Sequence, residues 1–539
     1  MQIGKIIYSI FLVVCILWIP GLLSAQTGVS DEEVDVIRDY NPILADALKI
    51  NLTAQTPESN TTPEALIYNT NVKYFELPYQ PIKIKPIALN KTPEEDLENI
   101  YVKVGFGAPL TPLAQVYINS GRSDKLNYGL FADYISTNST DFKDYSHLNI
   151  GGTANFYLNK DYVIPINAGF TNDVVYYYGY DADSLEFDKE DVRQRFNAYN
   201  FDVAFKNLAD NDLNIDYLIQ TGVSGKNDIN KYGVINPFLR LAADKKLDND
   251  FTAGAELFLD FYNHKAPVNQ DNAVTHLILH YGAVTPEFSL LLQLDNAVEK
   301  QGRYYALPTI EFSKDLVGDK FVFVAGWDTR LIVNNFNSIT NENPFVGDTI
   351  NYKSSVSDKK YAGFRGSTNG NFSYSLEGYY KINRSMLFYV NNPFDAKRFD
   401  VLYEDATLFG GNVEVNYFNA NKFRIMAALD YFSFVELDLE KPWFTPTLNW
   451  TLAGTYYFNS KLSATADIFG VNGSYALLPN EVIEKIKGTM DLNISANYMY
   501  SRYFNIFLNI NNITSYKYER YYNYPGYGIN AIAGISFSF

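Results

Sequence analysis

From Ile100 to Phe539 the sequence alternates apolar and polar residues in tracts of roughly ten to fifteen, separated by turn-forming residues. In the last tract Ala531, Ala533, Ile535, Phe537 and Phe539 share one side, and Gly534, Ser536 and Ser538 share the other. Phe251, Ala253, Ala255, Leu257, Leu259 and Phe261 alternate with Thr252, Glu256 and Asp260. Leu492, Ile494, Ala496 and Tyr498 alternate with Asp491, Asn493, Ser495 and Asn497. Side chains along a strand point to opposite faces in turn. Each tract therefore reads as a strand with one lipid-like face and one face of amides, hydroxyls and carboxylates. A membrane barrel turns the first outward and keeps the second in a polar lumen. Past the N-terminal segment there is no further apolar run of helical membrane length. A membrane-spanning form of this chain must then be a closed barrel, because lipid offers no partner to an open backbone.

The connections point the same way. Asn159 to Asp161, Ala209 to Asp212, Gly318 to Lys320, Thr368 to Asn371, Asn419 to Lys422, Asn459 to Lys461 and Ser501-Arg502 are short. They interleave with long segments: Tyr180 to Arg193, Lys265 to Ala273, Phe336 to Ser355, Asn383 to Phe399, Glu436 to Pro446, Leu477 to Gly488 and Lys517 to Gly526. Barrels of this class have short periplasmic turns and long extracellular loops. The expected fold is all-β, an antiparallel transmembrane barrel of about 22 strands, in a range of 18 to 22. Tyr176-Tyr177-Tyr178, Tyr456-Tyr457 and Tyr498 with Tyr500 are expected in its aromatic girdle.

Composition narrows the function. The chain of 539 residues has 44 Lys plus Arg against 61 Asp plus Glu, a net charge of -17. That balance excludes a nucleic-acid binder, which needs a basic surface. The single cysteine, Cys15, excludes a disulfide framework or a thiolate metal site. Charged residues are 19% of the chain, yet it carries 44 Tyr and 38 Phe. Strands that average a wet face with a lipid face account for both figures.

Residues 1–25 read as a signal peptide: Lys5, an apolar run from Ile6 to Trp18, then Pro20, Gly21 and Leu23-Ser24-Ala25. An exported chain without further cysteine suits the outer membrane of a Gram-negative bacterium, with a periplasmic N-terminus. Residues 26–98 carry Pro42, Pro57, Pro63, Pro78, Pro81, Pro86 and Pro93. They read as a periplasmic prologue of short helices and extended linkers, and residues 99–539 as the barrel.

The segment from Asn511-Asn512-Ile513-Thr514 through Tyr524-Pro525-Gly526 to Phe539 resembles the last two strands of TonB-dependent receptors. Asp39-Tyr40-Asn41-Pro42 and Tyr101 to Gly107 resemble shortened receptor-like barrels. The resemblance implies passage or uptake of a solute across the outer membrane. It also implies that Phe537 and Phe539 form the C-terminal signal read by the barrel-assembly machinery. Glu33-Val34-Asp35-Val36-Ile37 could serve as a TonB box or as an amphipathic periplasmic helix. Receptors of the family carry a globular plug, and residues 26–98 show no plug-like alternation. The lumen must then be filled by the prologue, by inward-folded loops or by a partner, or stand open. The alternative function is a non-transporting barrel subunit of a larger envelope assembly. Partners on this reading are membrane lipid, lipopolysaccharide, the assembly machinery, and TonB or another envelope protein at residues 26–98.

Little else in the sequence carries chemistry. His276 and His280 lie four apart, which on a strand separates them by roughly 13 Å, too far for one metal ion. The acidic stretch Asp181, Asp183, Glu186, Asp188, Glu190 and Asp191 lacks the spacing of a calcium loop. No nucleophile is paired with a histidine, so neither enzyme activity nor a cofactor is expected. Glu256, Asp260, Asp467 and Asp491 are expected to line the lumen, either tuning a pore toward cations or pairing with basic neighbours.

Overall fold

A computed structural model describes residues 99–539, apart from 122, 140–142, 160, 182, 184, 209–210, 249, 268–269, 369 and 420–421. The signal-peptide and prologue expectations, with Glu33 to Ile37, lie outside the described residues.

The strands are β1 (Ile100–Ala108), β2 (Leu113–Asn119), β3 (Leu126–Thr137), β4 (Tyr145–Leu158), β5 (Tyr162–Tyr176), β6 (Arg193–Asn207), β7 (Ile215–Asn227), β8 (Gly233–Asp248), β9 (Phe251–Lys265), β10 (Asn272–Val284), β11 (Phe288–Glu299) and β12 (Tyr304–Asp315). Then come β13 (Val322–Ile332), helix α1 (Phe336–Glu342), β14 (Ser355–Thr368), β15 (Phe372–Asn391), β16 (Phe399–Asn419), β17 (Phe423–Leu437), β18 (Leu448–Tyr457), β19 (Leu462–Val471), β20 (Ser474–Leu478), β21 (Val482–Ile486), β22 (Thr489–Ser501), β23 (Phe504–Asn511) and β24 (Asn530–Ser538). All but β20 and β21 belong to one 22-stranded antiparallel sheet. The sheet closes on itself: Lys103 of β1 faces Gln115 of β2 on one side and Ser536 of β24 on the other. Closure removes both edges, so every strand of that sheet has two partners.

Turn chemistry explains the short connections. Gly370 adopts φ +71° and Asn159 φ +58°, the left-handed conformation that tight turns require. Asn211 caps its turn by accepting the backbone N–H groups of Leu213 (3.1 Å) and Ile215 (3.3 Å). The short and long connections singled out in the sequence lie at opposite ends of the barrel, in the expected alternation, although 109–112, 228–232 and 300–303 are also short and lie at the long-loop end.

Three long segments differ from expectation. Asn383 to Phe399 is largely strand: β15 continues to Asn391 past a bulge between Asn383 and Met386, and only 392–398 connects it to β16. Leu477 to Gly488 lies mostly in a separate hairpin, in which Ser474 pairs with Ile486 and Leu478 with Val482. Phe336 to Ser355 opens with α1, whose N-cap Asn335 accepts from the Ser338 N–H while the Ser338 hydroxyl returns the bond.

The register carries one alternation around the whole barrel. Leu277 faces Leu257, Leu279 faces Leu294, and Leu292 faces Ile310, all on the outer surface. At the short-turn end the outer surface carries aromatic contacts around most of the circumference. Tyr162 stacks on Phe205, Phe251 on Tyr281 and Phe321 on Phe364; Tyr417 stacks on Phe423, and Phe504 packs against Phe537. This is the girdle. Tyr456, Tyr498 and Tyr500 belong to it. Tyr177 and Tyr178 do not: they lie at the opposite end, where Tyr178 packs on Tyr524 and Phe345.

Candidate functional site

Polar pairs lace the inner wall across neighbouring strands. Gln115 and Tyr117 both donate to Asp133 Oδ1, at 3.1 and 2.6 Å. Asn167 and Gln220 both donate to Asp202 Oδ2, at 2.9 and 3.1 Å. Lys359 Nζ meets Glu377 at 2.5 Å and lies over the rings of Tyr361 and Tyr379. The four carboxylates singled out in the sequence occupy inward register positions of this wall. They are held by neighbours. Glu256 takes two bonds of 2.7 Å from the Arg240 guanidinium. Asp260 accepts from Asn236 (2.5 Å) and from the Tyr262 hydroxyl. Asp467 accepts from Asn493 at 2.7 Å. Asp491 is buried, accepting from the Leu492 N–H (2.7 Å) and Thr514 (3.4 Å). His276 and His280 each pair with a separate aspartate, Asp295 at 2.8 Å and Asp244 at 2.5 Å. Phe537 and Phe539 stack in the girdle at the end of β24.

The long-loop mouth is the part that the sequence reading did not resolve. The β13–β14 connection, 333–354, turns into the barrel and lies against its inner wall. Phe196 of β6, Val234 of β8, Tyr262 of β9, Val274 of β10, Ala297 of β11 and Leu307 of β12 face inward and are buried in one cluster with Phe336, Ile339, Val346 and Ile350 of that loop. Polar pegs fix it. Lys226 of β7 donates to Asn341 of α1 at 2.6 Å and lies over the Phe196 ring. The Gln270 side chain clamps the loop backbone, donating to Ile350 O (2.9 Å) and accepting from Tyr352 N (2.9 Å). On the opposite side the loop backbone meets the start of β16, where Gly347 N donates to Phe399 O at 2.8 Å.

Other loops lock over it. Phe345 stacks on Tyr524 of the β23–β24 loop with ring centroids 3.8 Å apart. Tyr521 of the same loop donates to Glu342 O at 3.0 Å. Phe399 is wholly buried, 5.4 Å from Phe444 and 5.2 Å from Tyr521 between ring centroids. Arg398 pairs with Asp348 at 2.6 Å and lies over Tyr177. Loops rooted around the mouth thus share one aromatic core. Its signal in the sequence is the apolar content of two of the long connections: Phe336, Ile339, Phe345, Val346 and Ile350 in one, Trp443 and Phe444 in another.

Burial raises the pKa of carboxyls in the loops, Glu342 and Asp228 among them. The Glu342 carboxyl is held above its ordinary range by burial, opposed by Arg520 and the Tyr389 hydroxyl. Burial pushes Asp228, in the β7–β8 loop, up to about 6; the Tyr232 backbone N–H opposes this, and Asp348 adds to it. A carboxyl with a raised pKa favours the closed loops when protonated. Its contribution is complete below the ordinary carboxyl range and is lost as pH rises through about 6. Protection of residues 333–354 against hydrogen exchange, taken relative to the intrinsic rate at each pH, is expected to be greater at pH 4 than at pH 7, and Asp228→Asn is expected to shrink that difference. Equal protection at both pH values in the parent chain would refute the assignment.

No family model matches the sequence, and no curated protein matches it. Solved structures do. The ferric enterobactin receptor of Pseudomonas aeruginosa aligns with a TM-score of 0.63 at 12% identity, covering 82% of this chain and 80% of that one. A siderophore receptor of Acinetobacter baumannii aligns at 0.63 and 11%, covering 83% and 81%. An iron transporter of Neisseria meningitidis aligns at 0.64 and 11%, covering 83% and 82%. In strand number, closure and alternation of faces, this chain has the barrel fold of these receptors.

Proposed function

We infer that this protein is an integral outer-membrane barrel that passes or takes up a solute, with its short turns in the periplasm and its long loops outside. The observation that carries this is a polar, closed barrel wall whose long-loop mouth is covered by folded loops held through aromatic packing and a few polar pegs. Such a cover separates the two sides while leaving a lumen behind it. The fold shared with the ferric enterobactin receptor, the siderophore receptor and the iron transporter supports uptake as the class of function. Residues 26–98, with Glu33 to Ile37, are the segment to engage TonB or another periplasmic protein. The inward carboxylates Glu256, Asp260, Asp467 and Asp491 shape the field along the lumen. Phe537 and Phe539 serve assembly, and removing Phe539 should lower the yield of heat-modifiable barrel in the membrane. The test of passage is uptake by a deletion strain together with conductance of the purified protein in planar bilayers. The absence of both an uptake defect and any conductance, even after the loops are loosened, would end this reading.

A second reading, a barrel subunit of a larger assembly, is favoured by one feature. The turn between β15 and β16 is held rigid, with Asn392 Oδ1 accepting the N–H groups of Phe394 and Asp395 at 2.8 Å each. It presents Phe394 with 96% of its surface exposed. A photo-crosslinker at position 394 in living cells should then capture one protein in stoichiometric yield. A crosslinking pattern with no discrete product would count against it.

A further inference from the structure

Beside the in-folded loop is a pocket of about 590 Å³. Ligand sites span roughly 300–1,000 Å³. Three neighbouring connections at the long-loop end build it, through Gln270 and Asp271 before β10, residues 300–303, and the stem of 333–354. Its charges run against the rest of the chain. Lys300, Arg303 and Lys353 line it, and none of the three makes an ion pair with a carboxylate among the described residues. The acidic groups on the same walls are already engaged. Glu299 is buried and accepts from Asn272 (3.0 Å), the Tyr305 hydroxyl (2.9 Å) and Ser354 Oγ (2.6 Å). Asp271 accepts the backbone N–H of His264 at 3.0 Å. Arg303 is hydrogen-bonded to the Tyr305 hydroxyl, yet in a chain of net charge -17 three cations without a carboxylate partner at one pocket mark a local inversion of sign.

His264 supplies the second, independent observation. It borders the pocket, is only 5% exposed, and stacks on Tyr352 with ring centroids 4.1 Å apart. Its Nδ1 is 3.0 Å from the carbonyl oxygen of Gln270. A carbonyl can only accept, so Nδ1 carries the hydrogen and Nε2 of the neutral ring is the acceptor. Nε2 is buried without a hydrogen-bond partner among the described residues. A buried acceptor left bare costs free energy that an incoming donor would recover. A hydroxyl group is such a donor; a carboxylate is not.

We propose that this pocket binds a small hydroxyl-bearing anion, the chemistry of a sugar acid. Lys300, Arg303 and Lys353 hold the carboxylate, and a hydroxyl donates to His264 after a small shift of the Tyr352 ring. The inference deepens the uptake reading by naming a class of solute. Binding is measured on the isolated full chain, so its outcome is separate from that of conductance or uptake.

The experiment is calorimetric titration of the full-length protein in detergent with glucuronate, glucose and acetate. Glucuronate should bind, and glucose and acetate should each bind about tenfold more weakly or less, since each lacks one of the two recognised groups. The variant K300Q/R303Q/K353Q should lose glucuronate binding. His264→Phe keeps a stacking ring and removes the acceptor, so it should weaken glucuronate about fivefold or more and leave acetate unchanged. Heat-modifiable gel migration confirms that each variant is a folded barrel, and R303Q alone serves as the charge variant if the triple substitution fails to fold. Absence of glucuronate binding overturns the proposal. So does equal binding of glucuronate with either comparison compound, or unaltered binding by a folded charge variant.

Discussion

Replacing residues 335–351 with a short Gly-Ser linker is expected to raise single-channel conductance about tenfold or more, because barrels of about this strand number enclose a lumen wide enough to hold a plug. The barrel itself should survive the excision. Its closure runs through the backbone pairing of β1 with β24 and does not involve the loop. The excised segment supplies Phe336, Ile339, Val346 and Ile350, which cover the inward faces of six strands from β6 to β12. It also supplies Asn341, so Lys226 would be returned to water. The same excision in a chain lacking residues 26–98 separates the loop's contribution from the prologue's. A milder variant works on the core that holds the loop: Phe399→Ala, at the start of β16, empties the centre of the aromatic core, a change that costs roughly 3–5 kcal/mol at a buried phenylalanine. It should produce flickering openings where the parent is quiet. Conductance that stays at the parent level in both excised chains would show that the loop does not close the mouth.

Leu294→Arg is expected to destabilise the folded barrel in lipid by roughly 2–4 kcal/mol, the cost of a cation on the lipid face near mid-membrane. Gln293→Arg, one residue away, is expected to be nearly neutral. The two positions lie in the middle of β11 and face opposite ways: Leu294 is 40% exposed on the outer surface beside Leu279, whereas Gln293 shares the inner face with His280. Urea unfolding in lipid vesicles compares them directly. Equal costs, or a larger cost at Gln293, would overturn the assignment of the outer surface to lipid.

How far the sequence carried can be seen residue by residue. The strands were legible because their alternation has a period of two and depends only on local backbone geometry. Parity of loop length was legible because a closed barrel sends alternate connections to opposite ends. Glu256 and Asp260 could be placed on the inner face for the same reason. Their partners could not, since Arg240 and Asn236 are brought beside them by the register between β8 and β9. The tyrosines show the limit most clearly. Tyr498 and Tyr178 look alike in sequence, at strand ends with aromatic neighbours, yet Tyr498 faces outward in the girdle and Tyr178 packs in the mouth against Tyr524. Phe345 and Tyr524, whose rings pack on Tyr178, lie more than a hundred positions away, and no local pattern encodes which loop reaches it.

The sequence by itself determined the class of object: a closed barrel of alternating faces, an even number of strands near 22, and long connections at one end only. Those properties follow from short-range periodicity, which each tract expresses independently. Only the tertiary structure decided what the long connections do. The β13–β14 loop folds inward because its apolar residues find a matching apolar patch on β6 to β12, a meeting that exists only after the sheet has curved and closed. The same closure carries the stem of that loop and its Lys353 to His264, Lys300 and Arg303, and so makes a pocket from segments that the sequence keeps apart.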